Sequence, residues 1–165
     1  IMGDPDEEAD YAFAREQLGA LPVTCRFLPG NHDIGDNVIS GKMPKRVNDA
    51  RRERFLEYFG EERWSFGRAG WGFVGLNSQL MGSAGQPAEA EQWTWLERVL
   101  AELRPLPIAL FLHKPVFLNA VDDPELASTA IRYVPLPARR RLLELLAAVD
   151  LRLHRLDYVM PGLVL

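Results

Sequence analysis

Residues 29–33 read Pro-Gly-Asn-His-Asp and set three different donors side by side after a small-residue turn. Asn31 offers a neutral carbonyl oxygen, His32 an imidazole nitrogen and Asp33 a charged oxygen. That mixture suits zinc, manganese, iron or magnesium better than a soft, thiolate-seeking metal. Pro29 stiffens the approach, and Gly30 supplies conformational freedom and room for a ligand to come close. The same residues also suit an Asx-type turn, because Asn and Asp readily hydrogen-bond their own backbone. A second imidazole, His113, follows an apolar run at 108–112 and precedes Lys114 and Pro115, with Pro115 limiting the loop. It is read either as a metal ligand or as a core histidine bonded to a carbonyl.

Positioning these groups needs strands that end near both. Residues 23–28 alternate Val23, Cys25 and Phe27 on one side and predict a strand running into the Pro-Gly turn. Residues 108–112 predict a strand covered on both faces, ending just before His113. In open α/β sheets ligands gather beyond the carboxyl ends of strands, so the two histidines, far apart in sequence, share one structural address. Helices are expected over 4–19, 48–60, 87–103 and 137–150, and two strands over 63–78 meet at a turn near Ala69-Gly70. The apolar stripes are Tyr11, Ala14 and Leu18; Phe55, Leu56 and Phe59; Trp93, Leu96, Leu100 and Leu103; and Leu142, Leu145, Leu146 and Val149. Residues 150–153 are read as a strand and 156–165 as strand-turn-strand. Alternating helices and strands favour an α/β layered fold.

Several polar residues have a bland reading that outweighs a functional one. Trp93 and Trp95 sit at core or half-buried helical positions rather than forming a ligand platform. Arg139 to Arg141 is the solvated start of an amphipathic helix. Asp36, Asn37 and Asn77 shape turns, and Lys42, Lys45 and Arg46 belong to a solvated loop, although they are placed to steer an anion.

The 165 residues suit one domain spanning 1–165 with a real core. A net charge of −4 gives no reason to expect a nucleic-acid polymer or a membrane surface as partner. Cys25 is the only cysteine, so no disulfide forms within the chain and no cysteine-based zinc site is possible. A reducing, cytoplasmic setting fits, and no apolar run is long enough to span a bilayer. The chain opens on Ile1 rather than methionine, which suggests that it begins partway into a longer protein. No oligomeric state can be read from it.

On these residues the sequence resembles the calcineurin-like metallophosphoesterase family. Pro-Gly-Asn-His-Asp at 29–33 matches that family's most specific block, and His-Lys-Pro at 113–115 matches a later one. Gly-Leu-Asn-Ser at 75–78 and residues 91–100 resemble its small bacterial phosphodiesterases, which act on cyclic nucleotides or glycerophosphodiesters. The likeness runs from about Tyr11 to Val149. It implies a four-layer α-β-β-α sandwich with two mixed sheets and a metal site at the carboxyl ends of strands. It also implies two divalent ions of manganese, iron, zinc or magnesium, and a small phosphoester as substrate. By the same resemblance, Asn31 and His113 ligate one metal. His32 protonates the leaving alkoxide, and Asp33 helps to set its charge and orientation. The implied reaction is hydrolysis of a phosphodiester by a metal-bridging hydroxide. Two cations about 3.5–4 Å apart would offset the anionic substrate and activate water. General acid catalysis of this kind is typically worth about 10²–10⁴-fold.

The chain departs from the family pattern at both ends. It has three histidines, no Asp-x-His before residue 30 and no Gly-His-x-His. Asp4 is a candidate for the bridging aspartate, set against a plain helix N-terminus, and His154 a candidate for the last histidine block, set against a surface histidine. The first strand and some metal loops are therefore expected to be missing from this sequence. The alternative is a catalytically degenerate phosphate-binding or protein-interaction module on the same scaffold.

Overall fold

A computed structural model describes residues 3–37, 45–83, 86–117, 119–123 and 133–149. The first helix, α1 (Glu8–Gly19), carries Glu8 and Asp10 in its opening turn, where the helix dipole favours acids, and buries Tyr11 and Ala14. It begins later than the sequence suggests. The Asp6 N–H donates to Asp4 Oδ1 at 2.8 Å, and this local side-chain turn competes with helical pairing. A single helical turn, α2 (Asn31–Ile34), is formed by the Asn-His-Asp block itself.

Helix α3 (Asp49–Phe59) starts where Asn48 Oδ1 accepts the Arg51 N–H at 2.9 Å, and stops at Gly60, whose φ of 79° suits glycine. Its buried stripe is narrower than the sequence suggests. Phe55 and Phe59 pack one turn apart with tilted rings, 5.3 Å between centroids, whereas Leu56 is turned outward at 38% exposure.

Strands β1 (Trp64–Arg68) and β2 (Trp71–Leu76) form an antiparallel hairpin. Its two-residue turn has φ of 50° at Ala69 and 80° at Gly70, the paired left-handed conformations whose twist matches the strands. Helix α4 (Pro87–Glu102) crosses over to β3 (Ile108–Leu112), which lies parallel to β2. Helix α5 (Leu136–Leu146) follows. Among the described residues the sheet is three-stranded and mixed, in the order β1-β2-β3.

The register puts Val74 and Leu76 beside Leu110 and Leu112 on one face. That face packs on Trp93, Leu96, Val99 and Leu100 of α4 and on Leu142 and Leu146 of α5. Each such side chain removed from water contributes about 1.5–3 kcal/mol. The opposite face is aromatic. Phe66 and Phe73 stack at 4.9 Å, and Trp64 and Phe111 lie 5.5 Å apart. Trp64 is buried, but Phe66, Phe73 and Phe111 are only partly so. In β3 itself Ile108 is buried and Ala109 to Leu112 are partly buried on both faces, so the cover expected on both sides is incomplete among the described residues. A second core joins Tyr11, Ala14, Ile34, Val47, Phe55 and Leu80.

The strand expected at 23–28 is not formed, and these residues are irregular. The segment reaches the sheet through side chains instead. The Trp64 indole N–H donates to Phe27 O at 3.0 Å, and the Arg26 guanidinium lies 4.9 Å from the Phe66 ring. A period-two pattern makes a strand only when a neighbouring backbone accepts its ladder bonds. The elements expected at 150–153 and 156–165 lie outside the described residues. No helix among the described residues is long and apolar enough to cross a membrane.

Candidate functional site

Parallel pairing of β2 with β3 sets Leu76 beside Leu112, so their carboxyl ends emerge level with each other. The loops that follow are tied directly, the Lys114 N–H donating to Ser78 Oγ at 2.9 Å. A buried polar knot backs this edge. Gln92 bonds both the N–H and the carbonyl of Asn77, at 2.9 and 3.0 Å. Asn77 Nδ2 donates to Glu62 Oε2 at 2.8 Å, and Arg52 pairs with Glu62 at 2.5 Å. Asn77 is thus fully buried and holds the turn, as the sequence suggests.

The third wall is α2. Asp33 Oδ2 accepts the Gly30 N–H at 2.6 Å, so the carboxylate caps the turn on which it sits. The Tyr11 hydroxyl donates to Asp33 O, and Ile34 is fully buried in the second core. Burial and the nearby Asp33 carboxylate push the Tyr11 phenol well above its ordinary pKa, keeping it a proton donor. The turn ends at Gly35, with φ of 90°, where an added Cβ would meet the Arg46 backbone at 2.6 Å.

These constraints bring Asn31 and His113 together. Asn31 Oδ1 and His113 Nε2 are 2.9 Å apart although 82 positions separate them in the chain. As a hydrogen bond, this contact has the ring N–H donating to the amide oxygen. Gly30 makes it possible by lacking a side chain, since a Cβ there would lie 2.7 Å from His113 Cε1. The glycine is not needed for an unusual backbone conformation, because its φ is −103°. The close approach expected of a ligand is made by the histidine ring. Burial lowers the pKa of His113, and the Lys114 charge adds to this against the pull of Asp33, so the ring is held neutral.

The other sequence candidates are placed differently. His32 is exposed, and its Nδ1 lies 3.2 Å from Gly3 O, which fixes a proton on that nitrogen. Asp4 is ion-paired with Lys45, which also contacts Asp6 at 2.8 Å, while Arg51 holds Asp6 at 2.7 Å. These bonds depress both Asp4 and Asp6, through Lys45 for the first and through Arg51 and then Lys45 for the second. Lys45 therefore anchors the segment before α1 rather than standing in a solvated loop. His154 and Lys42 lie outside the described residues. Arg139, expected to be solvated, is fully buried, and its guanidinium donates to Val134 O, Val121 O and Asp123 O. The lysine after His113 is the residue whose importance the sequence reading missed. Lys114 is buried against Asp36 and Asn37, and nothing in its immediate sequence marks the pairing.

The donor pair fits a divalent cation. Two ligands each about 2.1 Å from one ion at right angles sit about 3 Å apart, and a ligating imidazole must be neutral. Among the described residues no group of three or more His, Cys, Asp or Glu side chains converges to complete a site.

No family model matches the chain. It is weakly similar, at 27% identity over 112 residues, to the 3',5'-cyclic adenosine monophosphate phosphodiesterase CpdA of Escherichia coli (strain K12). The protein of the same description from Escherichia coli O157:H7 matches at the same identity. The match takes in 68% of this chain and 36% of either relative, so the chain spans little more than a third of their length.

Proposed function

We propose that the chain is part of a calcineurin-like metallophosphoesterase that hydrolyses a small phosphodiester of cyclic-nucleotide or glycerophosphodiester type. The observation that carries this reading is the 2.9 Å approach of Asn31 Oδ1 to His113 Nε2 beyond the carboxyl ends of the strands. The similarity to a curated phosphodiesterase supports it.

In this reading Asn31 and His113 hold one of two divalent ions, of manganese, iron, zinc or magnesium. Bound cations would neutralise the phosphoester and lower the pKa of attacking water. Ligation requires His113 to carry its proton on Nδ1, leaving Nε2 as donor to the ion. His32 is the general acid. Gly3 O keeps a proton on its Nδ1, so the transferable proton is the one on Nε2. Asp33 orients His32 indirectly, by capping the turn that carries it. Asp4 and His154 are the weaker candidates for the remaining ligands, and Asp4 would first have to leave Lys45. The fold proposed is the four-layer α-β-β-α sandwich as one domain over 1–165. The aromatic, half-buried face of the described sheet is the side that would meet a second sheet.

The test is manganese-dependent hydrolysis of bis(p-nitrophenyl) phosphate by the native protein, His32→Ala and Asn31→Ala. A fall of about 10²-fold or more is expected for His32→Ala. Equal activity in native protein and His32→Ala removes the acid role. A second reading, a degenerate phosphate-binding or protein-interaction module, draws on the two-donor site among the described residues. Phosphate binding by native protein without turnover at saturating manganese would favour it.

A further inference from the structure

We propose that Lys114 is a positioning residue, whose buried bonds to Asp36 and Asn37 fix His113 against Asn31. The proposal rests on the reading of Asn31 and His113 as donors to one cation.

The Lys114 side chain is 3% exposed and that of Asp36 is 0% exposed, with Nζ and Oδ1 2.5 Å apart. Its ammonium also donates to Asn37 Oδ1, and Asn37 Nδ2 donates in turn to Met81 O. The Asp36 backbone is pinned on its other side, its N–H donating to Lys45 O at 2.8 Å and its carbonyl accepting the Val47 N–H at 3.0 Å. Lys114 thus joins the loop after α2 to the loop after β3, one residue beyond His113 and a few beyond Asn31.

Position gives this pairing its consequence. The Asn31–His113 contact joins α2 itself to the loop after β3, so it is held only if α2 and the loop that continues it keep their register against that second loop. A surface lysine would pay side-chain entropy for a weak, screened bond. A buried ammonium has no hydration to return to, so the register it sets is strongly favoured over any slipped alternative. Asn37 adds direction, since its amide receives the ammonium through oxygen and gives its N–H₂ to the loop after β2.

The experiment reads His113 without metal. In the metal-free native protein, proton–nitrogen correlation spectra should show a slowly exchanging Nε2–H resonance for His113, bonded to Asn31 Oδ1. In Lys114→Met that proton should exchange at least tenfold faster, while the core methyls of Val74 and Leu96 keep their native shifts. The neutral double variant Asp36→Asn/Lys114→Met avoids stranding a buried charge, and the same acceleration is expected there if the single variant does not fold. Direct manganese titration should show at least tenfold weaker binding in the variant. Unchanged exchange in both variants, or no such resonance in the native protein, overturns the proposal. Native protein that shows the protected proton yet binds no manganese refutes the proposed metal site and leaves the positioning role standing.

Discussion

A Cβ on Gly30 would lie 2.8 Å from Nδ1 and 3.0 Å from Nε2 of His113, so the ring occupies the space a side chain would take. Gly30→Ala must therefore push the imidazole off Asn31. The expected stability loss is that of overpacking, about 1–3 kcal/mol. Manganese binding should suffer more than stability, because the donor spacing is lost. Urea unfolding and metal titration on one sample separate the two.

The second expectation concerns acid. Burial lowers the folded-state pKa of His113 below the value of 6.5 it has when unfolded. Between those two values the unfolded chain binds more protons, so stability rises with pH there. The stabilisation is present above 6.5 and is lost as pH falls through the folded pKa. Urea midpoints of metal-free protein should fall between pH 7.5 and 5.5, and His113→Gln should flatten that fall. The depressed carboxyl of Asp6 acts separately, its contribution failing only as pH drops below 3.8.

Arg139 offers a third test. Its Nε and Nη2 donate to Val134 O at 3.1 and 3.0 Å, and Nη1 to Val121 O and Asp123 O at 2.6 and 3.0 Å. Arg139→Met leaves those carbonyls without their donor. A loss on the order of 3 kcal/mol is expected, from charge-assisted bonds removed in a buried site. Limited proteolysis should first cut near residues 119–123 in the variant, because that loop loses its tether.

Two strand glycines should respond oppositely. A Cβ on Gly75 would fall 2.4 Å from Trp64 Cε2, within a rigid indole, whereas one on Gly67 meets nothing closer than 3.6 Å. Gly75→Ala is expected to cost about 1–3 kcal/mol or more. Gly67→Ala should be neutral or stabilising by up to about 1 kcal/mol, through lower entropy of the unfolded chain. Thermal midpoints of the two variants decide it.

Helices α1, α3, α4 and α5, the hairpin and β3 were legible because they rest on local chemistry, such as a capping Asn48, a Pro87 in the first turn and the Ala69-Gly70 turn, whereas the single turn α2 was not read as helix. The meeting of Asn31 with His113 was implied by the family resemblance, whereas the strand-end argument paired His32 with His113. That argument fails because residues 23–28 form no strand and the His32 ring turns to Gly3 O. The segment at 23–28 was not legible, since alternation is local and ladder pairing is not. Arg139 was misread as part of a charged run. The available signal was its spacing from Leu142 and Leu146, which places it on the buried face of α5. Leu56 erred the other way, an apolar residue one step off the Phe55–Phe59 stripe. The Lys114–Asp36 pair spans 78 positions, beyond any local pattern.

Trp64 and Trp93 are both nearly fully buried, on opposite faces of one sheet. Trp64 is bonded to Phe27 O, in the stretch that leads into Gly30, whereas Trp93 faces the helices beneath Arg141. The chain therefore carries its own pair of optical gauges. Emission from Trp64 reports whether the approach to the histidine pocket stays seated, and emission from Trp93 reports whether the helical side is intact. With Trp71 and Trp95 also replaced by phenylalanine, keeping one indole of the pair at a time would let a single fluorimeter trace follow either side alone.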